Sequence, residues 1–450
     1  MSVQRKNMET KCNKRNNVMV AGILLGCLLL CLGGCGGADA GREQATENSA
    51  ITRDDSSDHE LNETPTGQKK DVIKWSAPER EKLSYAKDFT LDYYDNGCVL
   101  IGVSDGSLFL TVPQEWEAIP DEELLSGLEQ TMPENVAGSM SSDDGGTAQT
   151  VIIRQPLNNI YLVASATMDM FRALDGLDHI RLSGTNAKDW HIEEAREAME
   201  EGRIVYAGKY SAPDYELILS EGCELAIENT MIEHSPEIKE NLRSFGIPVL
   251  VDHSSYESHP LGRVEWIKLY GVLLGKEKEA ESIFEEQEQV LAGVEADLSS
   301  EGDGKRPTIA FFYITNNGAA NVRKASDYVP KMIELAGGTY IYHDLGDEES
   351  HSSSMTMQIE EFYATAKDAD YIIYNSAIDG EVHSLEELYA KCGLLADFKA
   401  VQEGHVYCTT KNLYQESMSI GNLIRDIHVM IDDEDEEKQM QYLYPVEQGK

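Results

Sequence analysis

A cluster of polar side chains lies at Ser-Ser-Tyr-Glu-Ser-His-Pro-Leu-Gly-Arg, residues 254–263. It follows a short apolar run typical of a strand and precedes a pattern that predicts a helix. Amide groups at the start of a helix and an arginine guanidinium both attract anions. The sequence therefore predicts that Arg263 faces an anionic group, with Tyr256 and His259 as further candidates for contact. The alternative is that these are ordinary loop and helix-capping residues.

Motifs for catalysis are missing from the sequence. There is no phosphate-binding P-loop, no H-E-x-x-H pair and no G-x-G-x-x-G after a predicted strand. A hydrolase that uses two carboxylates is left open by motif alone, because the chain has 80 acidic residues. Such an enzyme would need perturbed groups within one cleft. The sequence therefore favours a protein that binds a ligand, carries out no reaction and needs no cofactor.

A site for a bare metal ion would need three or four His, Asp or Glu side chains that converge. His253, His259 and His343 are available, but the sequence has no histidine-rich loop. A haem iron would need an axial Tyr, His or Met, and the candidates are Met168, Met231, Tyr256 and His259. No pair among Cys98, Cys223, Cys392 and Cys408 has the C-x-x-C spacing. No resident metal site is predicted, and disulfide pairing stays open.

The formal net charge of the chain is −42 at pH 7. A protein that binds nucleic acid needs a cationic surface for the phosphates, so nucleic acid is excluded as a partner. Adsorption to anionic lipid through charge is excluded for the same reason. The acidity is typical of a soluble, self-repelling surface.

The first residues are typical of a secretory signal. A basic head is followed by an apolar stretch over residues 18–32, which is short for a membrane span. The stretch ends in Leu-Gly-Gly-Cys, which resembles the lipobox of bacterial lipoproteins, with Cys35 as the acylated residue. We therefore expect residues 1–34 to be a lipoprotein signal peptide and residues 35–84 to be a polar, disordered tether. The folded part would then be lipid-anchored at the extracytoplasmic face of the cell membrane.

Three patterns divide the rest of the chain. Apolar and polar side chains alternate between turn signals early on, which predicts a small β-rich extension of the first lobe over residues 85–150 that could add an edge strand to its sheet. Apolar runs then alternate with helical patterns over residues 151–274, and again over residues 301–450, which end in an acidic tail. One charged helical pattern, residues 275–300, separates them. The predicted fold is α/β: two α/β lobes, each a parallel sheet flanked by helices, joined by one long rigid helix, with a ligand cleft between the lobes.

Several short motifs along residues 151–431 resemble one protein family. The first is the strand, serine-containing loop and helix of residues 160–174. The second, within residues 215–227, is similar to the family's L-E-x-I and P-D-L-V-I, with Cys-Glu where Pro-Asp is usual. The remaining motifs are Gly-Ile-Pro-Val at 246–249, Leu-Leu-Gly-Lys at 273–276, and three second-lobe motifs within 333–338, 361–373 and 400–407. In this order and spacing, the chain resembles the helical-backbone class of ABC-transporter substrate-binding lipoproteins, which serve siderophores, haem and vitamin B12.

The resemblance implies a monomeric solute-binding protein that captures an iron complex, such as a ferric siderophore, and delivers it to a membrane permease with its ATPase. A corrinoid or haem receptor of the same fold is the alternative. A receptor for a bare divalent metal and a surface lipoprotein without a transport role are less favoured. The resemblance also implies that one glutamate on each lobe docks to the permease, at Glu216 and Glu361, with Glu360 as a rival for the second. Residues 85–148 lie outside the resemblance.

A ligand held between two such lobes would lie beyond the carboxyl ends of the strands. The loops that follow the strands therefore hold the candidate residues. A haem propionate or a siderophore carboxylate would suit Arg263, and tyrosines would stack on a flat ligand. In the first lobe the candidates are Ser165, Thr167, Trp190, His191, Thr230, Met231, Tyr256, His259 and Arg263. In the second lobe they are Tyr313, Asn316, Asn317, Arg323, Asn375 and Tyr414.

Overall fold

The computed structural model describes residues 73–132, 150–301, 306–346, 353–432 and 440–447. Cys35, the predicted signal peptide and most of the predicted tether lie outside the described residues. Across the described part of the chain, no helix is both long enough and apolar enough to span a bilayer.

Residues 73–132 and 150–154 form a five-stranded sheet with one helix, here called the extension. Its strands, in spatial order, are β1 (Glu79–Arg80), β2 (Phe89–Tyr93), β3 (Val99–Val103), β4 (Leu108–Val112) and β5 (Val151–Arg154). β1 to β4 are antiparallel neighbours, and β5 joins β4 in parallel. The turn between β2 and β3 needs Gly97, whose φ of 82° is rarely adopted by L side chains. Helix α1 (Asp121–Thr131) covers one face of the sheet through Leu124 and Leu128.

This sheet corrects two expectations from the sequence. The predicted tether runs to residue 84, but Ile73 is already buried and β1 pairs with β2, so residues 73–84 belong to the fold. The extension does not add an edge strand to the first lobe. Instead β5, which the sequence assigns to that lobe, pairs with β4 because its Val-Ile-Ile run continues the apolar core of the extension.

The first lobe is a parallel five-stranded sheet in the order β12-β11-β6-β7-β8. Its strands are β6 (Ile160–Leu162), β7 (Ile180–Ser183), β8 (Val205–Tyr206), β11 (Leu225–Asn229) and β12 (Val249–Asp252), with a separate hairpin of β9 (Gly208–Lys209) and β10 (Ala212–Pro213). Its helices are α2 (Thr167–Ala173), α3 (Glu193–Glu200), α4 (Tyr215–Ser220) and α5 (Pro236–Ser244). The half-polar β7, Ile-Arg-Leu-Ser, is absent from the sequence-based prediction.

Three helices follow the first lobe. They are α6 (Pro260–Glu265), α7 (Ile267–Leu274) and α8 (Glu277–Glu301). α7 ends at Gly275, which adopts a left-handed φ of 66° that suits a glycine cap. α8 has 25 residues and buries Phe284, Leu291 and Val294 along one side. It is the long connecting helix that the sequence predicts.

The second lobe is a mixed sheet in the order β16-β14-β13-β17-β18-β19, with β15 beside β13. Its strands are β13 (Thr308–Ile314), β14 (Ala320–Arg323), β15 (Thr339–Tyr340), β16 (Ser354–Met357), β17 (Tyr371–Tyr374), β18 (Val406–Thr409) and β19 (Leu443–Pro445). Its helices are α9 (Tyr328–Leu335), α10 (Ile359–Ala366), α11 (Ser376–Asp379), α12 (Leu385–Lys391), α13 (Lys399–Glu403) and α14 (Ile420–Asp432). β15, β13, β17 and β18 pair in parallel, as the sequence predicts. Antiparallel pairings are added at the edges, where β14 pairs with β13 and β16, and β19 pairs with β18.

The two lobes contact each other directly as well as through α8. α8 packs against α7, which follows the first lobe, and against α14 of the second lobe. The loop before α14 adds hydrogen bonds: Ser417 Oγ donates to Ala166 O at 2.7 Å, and Met418 N donates to Asp169 Oδ2 at 2.8 Å. Asp169 is fully buried. These contacts confirm the predicted two-lobed α/β fold and hold the lobes in one arrangement.

Candidate functional site

A cleft of about 310 Å³ opens between the two lobes. The first lobe and α6 line it with Ala164, Ser165, Ala166, Asn229, Asp252, Ser255 and Arg263. The second lobe lines it with Arg323, Asp327, Tyr328, Ser353, Ile378 and Tyr414. Most of the first-lobe residues follow the carboxyl ends of β6, β11 and β12, where a parallel sheet places ligand-binding loops. The cleft is therefore the candidate ligand site.

Arg263 is the most unusual side chain in this cleft. It is 7% exposed, and its guanidinium carbon lies 4.0 Å from the centre of the Tyr328 ring. Among the described residues, its Nε and Nη1 atoms have no hydrogen-bond partner. A buried cation without hydrogen bonds is costly, and such groups are usually paired. The arrangement is therefore suited to an anionic group that enters the cleft and accepts from this guanidinium.

Arg323 enters the same cleft from the second lobe, but it is already paired. Its Nη2 donates to the Tyr414 hydroxyl, and its Nη1 lies 3.6 Å from Asp327 Oδ2. Burial raises the pKa of the Asp327 carboxyl, and the neighbouring Arg323 guanidinium offsets part of that effect. Burial likewise raises the pKa of the Tyr328 and Tyr414 hydroxyls, so both stay protonated. The second lobe therefore offers a fixed arginine that is paired with Asp327 and framed by neutral tyrosine hydroxyls.

Asp252 lines the cleft with a carboxylate whose acceptors are in use. Its Oδ1 accepts from Ser254 N at 2.8 Å, and its Oδ2 accepts from the Thr167 hydroxyl at 2.7 Å and from the Tyr270 hydroxyl. Within the described residues, no three His, Cys, Asp or Glu side chains are grouped so that they could hold a metal ion. Asp252 therefore shapes the first-lobe wall of the cleft.

Four candidates from the sequence come together at the cleft. Ser165, Arg263, Arg323 and Tyr414 line it. Asn375 lies behind them, where its side-chain amide donates to the Tyr414 hydroxyl at 2.9 Å and its Oδ1 caps α11. These positions agree with the expectation that loops after the strands converge between the lobes.

The structure places other candidates away from the cleft wall. Thr167 and Trp190 are buried in the first lobe. His259 stacks on Tyr85 at 4.5 Å between ring centres and accepts from Leu261 N, so it caps α6 and does not line the cleft. The others outside the wall are His191, Thr230, Met231, Tyr256, Tyr313, Asn316 and Asn317.

Several cleft residues are missing from the sequence-based prediction. Asp327 and Tyr328 begin α9, and Asp327 caps that helix through Val329 N at 3.0 Å. The N-cap pattern at Asp327 is a signal in the sequence, but it predicts where a helix starts and not that these residues line a cleft. Asp252 ends β12 directly before the polar cluster, and its position was the other available signal. The rest are Ala164, Ala166, Asn229, Ser255, Ser353 and Ile378.

The two glutamates expected to dock are both on the protein surface. Glu216 lies in the first turn of α4 on the first lobe, and Glu361 lies in the first turn of α10 on the second. Both side chains are exposed, as is that of Glu360. The first turn of α4 thus presents Glu216, and the first turn of α10 presents both Glu360 and Glu361.

Comparisons with known proteins agree with the two-lobed α/β fold. The family model described as periplasmic binding protein matches residues 162–413. An uncharacterised lipoprotein of Methanocaldococcus jannaschii is 24% identical over 345 residues, 74% of this chain and 77% of that protein. A second uncharacterised lipoprotein of that organism is also 24% identical, over 344 residues, 74% of this chain and 78% of that protein. The crystal structure of a periplasmic haem-binding protein from Pseudomonas aeruginosa shares the fold at 14% identity and a TM-score of 0.51, over 64% of this chain and 98% of that chain.

Proposed function

This chain belongs to the periplasmic binding protein family, and from that premise we propose that it is the solute-binding lipoprotein of an ABC importer whose cargo is an anionic metal chelate. A ferric siderophore or a related iron complex is the cargo that we favour. The protein would capture the chelate outside the membrane and deliver it to a permease that works with an ATPase. The family consists of binding proteins, and the cleft has the position and lining of a binding site.

The observation that carries this proposal is the buried Arg263 guanidinium, whose Nε and Nη1 atoms have no hydrogen-bond partner among the described residues. A carboxylate, catecholate or hydroxamate oxygen of a chelate would accept the hydrogen bonds that the described residues leave unmade. Arg323 and Tyr414 would meet the same ligand from the opposite lobe. A bare divalent metal is supported less well, because the described residues offer no converging set of metal ligands.

A haem or corrinoid is the second candidate, and the apolar side chains around the cleft favour it. Ile378 lines the cleft and is 59% exposed. Met231 and Tyr256 are 44% and 46% exposed, and they follow the cleft residues Asn229 and Ser255 in the same loops. Large exposed apolar side chains near a cleft suit a flat ligand with an apolar body.

The anchor and the docking surface complete the proposal. Acylation of Cys35 would hold the protein at the extracytoplasmic face of the membrane, and the two lipoproteins of M. jannaschii support that assignment by their names. Glu216 and Glu361 would pair with arginines of the permease, one on each lobe, and so set the orientation of docking. Neighbouring genes for a permease and an ATPase would separate this role from a surface lipoprotein without transport.

Thermal unfolding of the soluble chain, residues 36–450, tests the proposal. The panel is ferric citrate, ferrichrome, ferric enterobactin, haemin, cobalamin, Zn²⁺ and Mn²⁺. A ligand that binds only the folded state stabilises it by about 2.7 kcal/mol at about a hundredfold excess over Kd. We expect one chelate class to raise Tm, and the shift to shrink in Arg263→Gln but not in Arg196→Gln, which changes a partly exposed arginine on α3. A shift with Zn²⁺ or Mn²⁺ alone, or none with any chelate, would contradict the proposal.

A further inference from the structure

Residues 84–88 of the extension are held by two carboxylates, Glu257 before α6 and Glu265 at the last position of α6. The backbone N–H groups of Ser84, Tyr85 and Ala86 donate to Glu265 at 2.7, 2.8 and 2.8 Å. The next two N–H groups, of residues 87 and 88, donate to Glu257 Oε1 at 2.9 and 3.0 Å. Five consecutive backbone donors therefore end on two acidic side chains. Hydrogen bonds to a charged acceptor are among the stronger ones in proteins.

Both carboxylates are buried with their partners. Glu265 is fully buried and Glu257 is 3% exposed. Glu257 also accepts from the Trp266 indole at 3.2 Å, and Lys268 Nζ lies 3.6 Å from Glu265 Oε1. Burial raises the pKa of Glu257, while its backbone hydrogen bonds to residues 87 and 88 lower it. A carboxylate that loses these donors would be left unpaired in the interior, which is costly.

Packing reinforces the same contact. The Tyr85 ring stacks on His259, which caps the start of α6. Gly262 faces the segment so closely that a Cβ there would lie 3.2 Å from Tyr85 O and 3.3 Å from Glu257 Oε2. The extension therefore fits against α6 at its start, its middle and its end.

Arg263 lies on this same helix, one residue after Gly262 and two before Glu265. All six residues of α6 are buried, and α6 packs against α8 and against α9 and α14 of the second lobe. A helix of six residues is too short to be stable without tertiary contacts. The orientation of the Arg263 side chain therefore depends on what holds α6 in place.

We propose that residues 84–88 act as a clamp on α6 that positions the Arg263 guanidinium over Tyr328 in the cleft. Glu257 and Glu265 are then positioning residues for the ligand site, and the extension, which lies outside the matched family region, has a role in ligand binding. The relevance of the clamp to ligand binding rests on the proposed function, because Arg263 is the anion-binding group proposed there. The clamp itself is a property of the ligand-free chain.

Labelling of arginine by phenylglyoxal, followed by peptide mass spectrometry, tests the clamp without any ligand. The variants are Glu265→Gln, which removes a charged acceptor, and Gly262→Ala, which places a methyl group against Tyr85 O. In both we expect the labelling rate of Arg263 to rise about fivefold or more, since local opening of a helix exposes its side chains. Arg323 of the second lobe is the internal control and should keep its rate.

Asp92→Asn is the matched control variant. Asp92 is a carboxylate of the same extension, 1% exposed and paired with Arg80 at 2.7 Å, and it makes no hydrogen bond to α6 among the described contacts. We expect this variant to lower Tm without changing the labelling of Arg263. The proposal is overturned if Arg263 keeps its native rate in both clamp variants, or if Arg263 and Arg323 accelerate together. Protection of Arg263 by ferric citrate or haemin is measured separately in the native chain, and its failure would count against the proposed function alone.

Discussion

Glu228 gives a stability prediction whose size follows from the structure. It lies on β11, is fully buried, and neither of its carboxylate oxygens has a hydrogen-bond partner among the described residues. It shares a strand face with Ala226, which belongs to an apolar cluster. Burial raises the pKa of Glu228 from 4.5 to about 8. The folded protein therefore holds a proton on Glu228 at pH 7 that the unfolded chain releases.

The sign and the magnitude of the effect follow from linkage. Because the folded pKa lies above the unfolded pKa, the contribution of Glu228 to stability is fully present below about pH 4.5 and is lost as pH rises toward about 8. Each pH unit in that window costs about 1.4 kcal/mol. Glu228→Gln cannot ionise, so its free energy of unfolding relative to the native chain should rise by about 3 kcal/mol between pH 5 and pH 7.

Urea unfolding at several pH values between 5 and 8 is the assay, and it compares the native chain with Glu228→Gln. Glu233→Gln is the control, because Glu233 is an exposed glutamate just after the same strand. The control should follow the pH dependence of the native chain. A constant difference between Glu228→Gln and the native chain across the whole pH range would refute the reasoning, because it would mean that Glu228 titrates alike in both states.

Three further predictions concern other parts of the molecule. Asp169→Ala removes a buried carboxylate that joins the lobes, so urea unfolding should show a loss of about 2–3 kcal/mol; Asp178→Ala, at a side chain that is 89% exposed, should change stability little. Burial would raise the pKa of Asp370, but hydrogen bonds from neighbouring lysine and threonine groups hold it at about 2. Its contribution is present above about pH 4 and lost as pH falls toward 2, so acid unfolding followed by circular dichroism should be less steep in Asp370→Asn. Glu216→Ala and Glu361→Ala should lower uptake of the chelate by cells while leaving its Kd for the isolated protein unchanged, and a changed Kd would contradict the docking role.

Much of the fold could be predicted because its signals are local. Runs such as Tyr371–Tyr374 alternate with helical stretches such as Ile359–Ala366, and both occur where the sequence predicts them. The long, charged helical pattern of α8 is also a local signal, so this helix could be predicted. Strand direction is not a local property: β14 turns back on β13 through a tight turn, and the sequence pattern of both strands is compatible with either direction.

The site could be predicted to the level of loops but not of side-chain direction. Arg263 and Tyr414 follow from polar residues in loops, yet Thr167 turns inward to Asp252. The backbone dihedral angles at a loop residue decide whether its side chain points into the cleft or into the core. Tyr328 could not be found from sequence, because it reaches the cleft only when α9 is packed against α6 across the lobes.

The extension shows the same limit of sequence-based prediction more clearly. Its alternating pattern predicts strands, and β2 to β4 are present. The hydrogen bonds from residues 84–86 to Glu265 span about 180 residues of sequence, and no local pattern marks them. The contact between the extension and α6, the helix that carries Arg263, is therefore visible only in the structure.

Titration calorimetry of the native chain and of Arg263→Gln with ferric citrate, ferrichrome, ferric enterobactin, haemin and cobalamin tests the central claim most directly. The account predicts that one anionic chelate binds the native chain at a ratio of one to one. The same chelate should bind Arg263→Gln at least about tenfold more weakly, because a charged hydrogen bond in a buried site is lost. Equal affinity of the two chains for that chelate, or no binding of any chelate to the native chain, would contradict the account.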